Sequence, residues 1–415
     1  MVEKAGVVGC YARARMRERA EESLAELEGL ASAAGAQVVE RVLQERPAPD
    51  PAYFIGRGKA EELATLAADR DLDVLLFDEE LTPAQLRNLE HKAGCKILDR
   101  TQLILDIFAG RARTREGKLQ VELAQLNYLL PRLAGKGTML SRLGAGIGTR
   151  GPGETKLEMD RRRIRDRIAL LRRDLEHVRA HRERQRSRRQ GVPVPVVALV
   201  GYTNAGKSTL FNALTRAGTL ESPQLFATLD PLLRRLVLPN GLEILLSDTV
   251  GFIRKLPHDL VAAFRATLEE VREADLLLHV IDVSSPHWRE QAEAVRDVLR
   301  ELEVEGKPSI DVYNKIDLLP PGQSLGPGAA PRGHVSVSAL KKEGLRDVLA
   351  RVSAELEGFT VRSLLRVPYR DARLLARLHE EGRIVSTVYE NEAIRLEVDL
   401  PRSSLRHLRK YLAVR

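Results

Sequence analysis

Cysteine is nearly absent from this chain: two in 415 residues, Cys10 and Cys95. Two thiols cannot build a disulfide framework, so a fold stapled by cross-links is excluded. The two could pair, but reduced residues in a cytosolic chain are the simpler expectation. Long apolar runs are missing as well. No stretch approaches the ~20 residues of a membrane span, and residues 1–16 (MVEKAGVVGCYARARM) lack the apolar core and cleavage site of a secretory leader. A monomeric cytoplasmic protein is expected, with membrane contact limited to transient peripheral association. Acidic residues are the minority charge, 58 Asp and Glu against 66 Lys and Arg, for a formal net charge of +8. That balance favours an anionic partner, and abundant arginine favours bidentate contacts with phosphate, although a solvated surface explains the composition equally well. Hydrophobic residues make up 43% of the chain, enough for real cores, and the length implies about two to four domains.

Two local absences say more than the totals. Residues 154–190 contain neither Gly nor Pro, which predicts one helix of up to ~55 Å at 1.5 Å per residue. Leu157, Ile164, Leu171, Leu175 and Val178 form a heptad-like stripe along it. The stripe needs an apolar partner. Leu119, Leu123, Leu126, Leu130 and Leu133, at four-and-three spacing, supply one, so a long antiparallel helical hairpin is expected, with Pro131 kinking the first arm near its end. The connection, residues 135–153 (GKGTMLSRLGAGIGTRGPG), contains no acidic and no aromatic residue but carries Lys136, Arg142 and Arg150. It reads either as a flexible loop or as a basic finger that moulds its backbone to a polyanion such as RNA. Without aromatic stacking groups, base readout is not indicated.

The richest segment is 196–209, VVALVGYTNAGKST. A buried-strand pattern runs into Gly201, Tyr202, Thr203, Asn204, Ala205, Gly206, Lys207, Ser208 and Thr209, and a helical pattern continues until Gly218 stops it. The pattern G-x-x-x-x-G-K-S between a strand and a helix is a phosphate loop: successive N–H groups and the helix N-terminus face nucleotide phosphates. Lys207 would reach the β- and γ-phosphates, and the Ser208 hydroxyl would ligate Mg²⁺. The bland alternative, a Gly-rich turn that binds nothing, is weakened by four partner motifs downstream. Asp248-Thr249-Val250-Gly251 closes another apolar run, so Asp248 could hold Mg²⁺ through water and the Gly251 N–H could meet the γ-phosphate. Asn314-Lys315-Ile316-Asp317 comes after a third strand-like run. There Asp317 can accept hydrogen bonds from N1–H and the 2-amino group of guanine, a donor pair that adenine lacks. Ser338-Ala339-Leu340 comes after a fourth, where the backbone could meet the guanine O6. Thr228, in the loop FATLDP, could complete the Mg²⁺ shell when the γ-phosphate is present, which makes that loop a switch; the other reading is an ordinary loop threonine. The whole set points to a Mg²⁺-dependent hydrolase of GTP to GDP, with Lys207, Thr228 and Gly251 nearest the chemistry. Phe252 occupies the position after DTVG where many small GTPases carry a water-orienting glutamine, so turnover alone should be slow. Arg254 and Lys255 lie close enough to suspect as an internal arginine finger, but a solvated basic pair is the expected state.

The fold class expected is α/β: a P-loop GTPase domain at 191–360, preceded by a small α/β domain at 1–115 and the hairpin at 116–190, and followed by a small α+β domain at 361–415. In the first of these, strands are expected at 6–9, 37–42, 52–55, 74–77 and 96–98, with helices at 14–34, 59–67, 83–92 and 101–108. Gly56-Arg57-Gly58-Lys59 reads better as a tight strand-to-helix turn than as a second phosphate contact. The Pro/Gly-rich stretch 321–333 reads as a loop inside the GTPase domain.

The order GYTNAGKST, FATLD, DTVGFI, NKID, SAL resembles translational GTPases grouped with Era and TrmE. Outside those motifs, YFIGRGKAEEL, RTREGKLQVELAQLNYLLPRL and GIGTRGPGETKLEMDRRRI closely resemble the HflX family, and that likeness spans nearly the whole chain. The resemblance implies an N-terminal domain with a helical hairpin, a GTPase domain and a short C-terminal domain. It implies binding to the large (50S) ribosomal subunit and its rRNA, alone or within 70S particles, with the hairpin loop directed at the peptidyl-transferase region. It also implies a role in splitting or rescuing ribosomes under stress. Two other readings stand beside it: a GTPase in rRNA maturation or subunit assembly, and a nucleotide-gated binding protein with protein partners.

Overall fold

Four short apolar runs near the start pair side by side in a parallel sheet. They are β1 (Lys4–Tyr11), β2 (Gln37–Glu45), β3 (Val74–Phe77) and β4 (Lys96–Asp99), in the order β2-β1-β3-β4. Helices α1 (Arg17–Ala33), α2 (Arg57–Arg70), α3 (Pro83–Ala93) and α4 (Arg100–Arg111) connect them or come after them. Polar caps set the starts of two of these helices: Thr82 and Gln85 form a capping box on α3, and the Asp99 carboxylate accepts from Gln102 N at 2.9 Å on α4. Val8, Ile55, Leu63, Leu75, Phe77 and Ile97 share one core. The strand expected at 52–55 is a turn instead. Pro47, Pro49 and Pro51 withhold N–H groups from any ladder, and Asp50 Oδ1 accepts from Ala52 N at 2.8 Å and Tyr53 N at 3.1 Å. Only an isolated bridge between Asp50 and Phe54 remains. Gly56 does end a turn and opens α2, its N–H donating to Gln44 Oε1 at 2.8 Å.

This computed structural model describes residues 2–133, 152–189, 194–215, 226, 232–255, 269–320, 334–357, 360–371, 374–375, 378, 383–401 and 408–412. The chain divides into two units that interleave along the sequence: Met1–Glu176 with Glu221–Asp230 and Ile253–Thr267, and His177–Leu220 with Pro231–Phe252 and Leu268–Arg415.

Within the first unit, α5 (Arg115–Arg132) packs on the part of α6 (Pro152–Arg189) that runs to Glu176. Leu123, Ile168, Leu171 and Leu175 are buried between them, flanked by Leu119, Leu126, Leu130 and Ile164. Arg167 forks onto Glu122 at 2.7 and 2.9 Å across the two arms. The predicted stripe thus forms the seam, with Ile168 as an added member and Leu133 and Val178 outside it. Pro131 falls in the last turn of α5, one residue before its end, where a missing N–H and a ring clash are least disruptive. The Leu157 side chain and the tip residues Lys136, Arg142 and Arg150 lie outside the described residues.

The second unit is built on a six-stranded sheet of β5 (Val196–Gly201), β6 (Leu232–Val237), β7 (Glu243–Asp248), β8 (Leu276–Asp282), β9 (Ser309–Asn314) and β10 (Val335–Ser336), ordered β10-β9-β8-β5-β7-β6. All neighbours run parallel except β6, which is antiparallel to β7. The central strands are buried on both faces, as a covered parallel sheet requires: Val197, Leu199, Leu278, Val280, Ile310 and Val312 on one, and Ala198, Val200, Leu277 and Ile281 on the other. The helices are α7 (Lys207–Thr215), α8 (Glu269–Glu273), α9 (Trp288–Glu301) and α10 (Leu345–Glu355). In α9, Ala292, Val295 and Leu299 are buried at three-and-four spacing. Strands β5, β7, β8, β9 and β10 all end on the same edge, where an open α/β sheet places its ligands.

Residues 360–415 contribute β11 (Thr360–Pro368), β12 (Arg383–Tyr389) and β13 (Ala393–Pro401), an antiparallel sheet in the order β11-β13-β12. Glu390 and Asn391 lie in the hairpin between β12 and β13. The helices expected in this part lie largely outside the described residues.

Candidate nucleotide site

Strand β5 ends in Gly201, and the chain then turns back over the sheet edge into α7. Two glycines are required there. Gly201 has φ +155°, and a Cβ on it would lie 2.3 Å from Val280 O; Gly206 has φ +91°, and its Cβ would lie 2.2 Å from Asn314 Nδ2. No larger residue fits either place without moving backbone or the Asn314 amide. Asn204, between them, is itself left-handed at φ 60°, a conformation asparagine tolerates better than most residues. Within the curl, Thr203 N donates to Phe252 O at 2.7 Å and Ala205 N to Tyr202 O at 3.2 Å, which fixes the course of the loop.

Lys207 opens α7 and folds back under the loop. Its ammonium donates to Gly201 O at 3.0 Å and Tyr202 O at 2.7 Å. Burial pulls its pKa from 10.5 down to about 8, while Asp248 pulls the other way. A buried ammonium held by two backbone carbonyls is chemically suited to an anionic ligand. Next to it, the Ser208 hydroxyl donates to Asp248 Oδ2 at 2.7 Å, and Asp248 is fully buried at the end of β7. This pair offers hard oxygen donors of the kind Mg²⁺ takes.

The DTVG turn is fastened to the phosphate loop by backbone. Phe252 N donates to Gly201 O at 3.1 Å, and Thr203 N donates to Phe252 O at 2.7 Å. Phe252 is 1% exposed. Gly251 sits so close that a Cβ there would lie 2.9 Å from Thr203 Cα and 3.1 Å from Lys207 Nζ. Thr249 Oγ1 donates to Leu199 O at 2.5 Å, fixing the strand end that aims Asp248.

Asn314 ties the remaining loops together. Its Nδ2 donates to Ala205 O at 2.9 Å, and its Oδ1 accepts from Ala339 N at 3.0 Å. One buried amide thereby joins the phosphate loop, the NKID turn and the Ser338-Ala339-Leu340 turn. The Ser338 hydroxyl accepts from Lys341 N at 3.1 Å, and Leu340 is 73% exposed. Asp317 is half-buried in the short helical turn Ile316–Leu318. Thr228 lies outside the described residues.

Models of three families match the chain in sequence: "GTP-binding GTPase N-terminal" over residues 21–109, "GTP-binding GTPase Middle Region" over 111–189 and "50S ribosome-binding GTPase" over 196–315. The GTPase HflX of Caldanaerobacter subterraneus subsp. tengcongensis is 50% identical over 392 residues, covering 94% of this chain and 90% of its own. That of Escherichia coli K12 is 47% identical over 393 residues, covering 94% and 92%. This chain belongs to the HflX family of GTPases. Among solved structures, a GTP-binding protein from Sulfolobus solfataricus in complex with GDP is 26% identical, covering 85% of this chain and 98% of its own, with a TM-score of 0.45.

With the chain placed among HflX GTPases, two features stand out that its motifs do not announce. Lys315, left-handed at φ 66°, pairs with Asp282 at 2.6 Å. Arg254 and Lys255 are not the solvated pair expected of them. Within the first unit, Lys255 pairs with Asp78 and, at 2.7 Å, with Glu79, and Arg254 lies 3.5 Å from Glu22. Carboxylates far away in sequence hold both cations, which a local reading of GFIRK could not foresee.

Proposed function

We propose that this GTPase binds GTP with Mg²⁺ through the residues gathered at the sheet edge and uses the bound state to engage the large ribosomal subunit. Gly201–Gly206 backbone, Lys207 and Thr209 take the phosphates, Asp317 and the 338–340 backbone take guanine, and Ser208, Thr228 and Asp248 would hold the metal ion. Bound there, Mg²⁺ would offset charge on the β- and γ-phosphates. Lys207 moves no proton; it holds its ammonium where negative charge grows during phosphoryl transfer. The Gly251 N–H is the γ-phosphate sensor, and Phe252 supplies no group that can orient water. A ribosomal contact therefore fixes the attacking water or the switch that carries it. The observation that carries this reading is the close approach of Gly251 to Lys207 and Thr203, which ties the DTVG turn to the phosphate loop through Phe252.

On the ribosome, the 135–153 loop with Lys136, Arg142 and Arg150 meets rRNA at the tip of the α5–α6 hairpin. GTP favours the ribosome-bound state and hydrolysis releases it, and the cycle splits or rescues stalled particles under stress in the cytoplasm. Cosedimentation with 50S, 30S and 70S particles, each with a GTP analogue, GDP or no nucleotide, tests this. Binding to 50S and 70S that strengthens with the GTP analogue supports it. Equal binding in all three states, or binding to 30S alone, refutes it.

A further inference from the structure

Asp282 is the last residue of β8 and sits beside Asn314, the last residue of β9, in the parallel ladder. It belongs to none of the GTPase motifs. Both of its carboxylate oxygens are nonetheless occupied. Oδ1 accepts from Ser284 N at 3.0 Å and from Ser284 Oγ at 2.5 Å, a local turn that fixes the carboxylate in direction. Oδ2 holds Lys315 Nζ at 2.6 Å, with both side chains largely shielded, 15% and 25% exposed. Val283 N donates to Asn314 O at 3.1 Å, so the two strand ends are also joined by backbone. Lys315 is left-handed at φ 66°, a conformation uncommon outside glycine. It lies between Asn314, which bolts the loops together, and Asp317, the guanine acceptor in the proposed site.

From this we propose that Asp282 is a positioning residue for the base site: it fixes Lys315 by its ammonium so that the lysine presents its methylene stem, not its charge, to the bound nucleotide. The inference rests on the assignment of the NKID turn to guanine. An ammonium committed to Asp282 at 2.6 Å is not free to follow phosphate, in contrast to Lys207, which donates to backbone carbonyls and feels Asp248 only through space. The stem is what remains, a straight apolar wall beside the base position. Two consequences separate this from a merely structural ion pair. Loss of Asp282 should weaken guanosine, GDP and GTP by the same factor, because the phosphates are not involved. It should also act entirely through Lys315.

The test is a double-mutant cycle in the full chain with Asp282→Asn, Lys315→Ala and both together. Fluorescent GDP and GTP analogues report dissociation rates, and competition with guanosine reports the base alone. Asp282→Asn is near-isosteric and retains an acceptor for Ser284, so the fold is kept, and a thermal melt verifies it; Ser284→Ala gives a second, milder way to loosen the same carboxylate. We expect Asp282→Asn to speed release of both nucleotides about tenfold, to leave kcat at saturating GTP within about twofold, and to add nothing once Lys315 is alanine. Unchanged release from Asp282→Asn, additive losses in the double variant, or a loss confined to GTP would overturn the proposal. Asp317→Asn run alongside separates the layers. If it leaves GTP affinity intact, the guanine assignment itself fails, and this inference with it. If it weakens GTP while Asp282→Asn changes nothing, only this inference fails.

Discussion

Lys207 should make nucleotide affinity depend on pH in a defined window. Its folded pKa without ligand lies at about 8, pulled down by burial. A phosphate beside the ammonium restores the charged form, so binding above that pH must take up a proton. The protonated fraction is about 90% at pH 7 and about 10% at pH 9. Affinity for GDP should therefore be nearly flat below about pH 7.5, fall about tenfold by pH 9, and lose about a further tenfold per unit until the bound-state pKa is reached. The base ionises at high pH too, so the diagnostic quantity is the ratio of guanosine to GDP dissociation constants. Guanosine carries the base term alone. That ratio should shrink about tenfold between about pH 7 and pH 9, and calorimetry in two buffers of different ionisation heat should show proton uptake for GDP in excess of guanosine. A ratio independent of pH would refute the idea that a partly deprotonated Lys207 is the phosphate ligand. Nucleotide-free protein should gain stability as pH rises above about 8, because the unfolded chain keeps this proton up to the ordinary value of 10.5 while the folded chain loses it near 8.

The same geometry sets three further outcomes. Asp317→Asn removes the carboxylate assigned to the N1–H and 2-amino donors of guanine and should shift preference towards xanthine nucleotides, read by competition binding; undiminished GTP affinity contradicts the base assignment. Asp78→Ala leaves Arg100, 2% exposed and otherwise paired with Glu26, short of a buried partner, and should cost about 3–5 kcal/mol in chemical denaturation; a loss below about 1 kcal/mol would mean that the pair is no anchor. Alanine at Lys136, Arg142 and Arg150 together should weaken 50S binding and lower the log–log salt slope by somewhat under about one unit for each phosphate released, with GTP affinity unchanged; an unaltered slope means the tip faces solvent.

What was legible beforehand depends on how local each feature is. The phosphate loop could be read because a buried-strand run, two obligatory glycines and a helix are adjacent in sequence, and the DTVG, NKID and SAL motifs each fell at the end of an apolar run. The hairpin seam was visible for the same reason, since helical spacing places Leu119 through Leu130 on one face; Ile168 escaped because the strict heptad count from Ile164 to Leu171 steps over it. The strand wrongly expected at 52–55 was a short apolar run whose preceding prolines and Asx turn outweigh its β-propensity. Features made by distant residues were not legible. Asp282 reaches Lys315 only because β8 and β9 lie side by side, and Lys255 is held by Asp78, 177 positions away in the chain, and by its neighbour Glu79. Asn314 was recognised as part of a motif, but its role as a bolt between Ala205 and Ala339 emerges only when three loops share one edge.

In the proposed cycle, hydrolysis is coupled to the ribosome, since Phe252 leaves the attacking water without a side chain to orient it. The decisive measurement is steady-state GTP hydrolysis at saturating nucleotide, with and without purified 50S particles. Slow turnover alone is expected, with kcat raised by orders of magnitude on the large subunit and abolished by Lys207→Ala. A kcat that 50S particles leave unchanged would contradict the coupling.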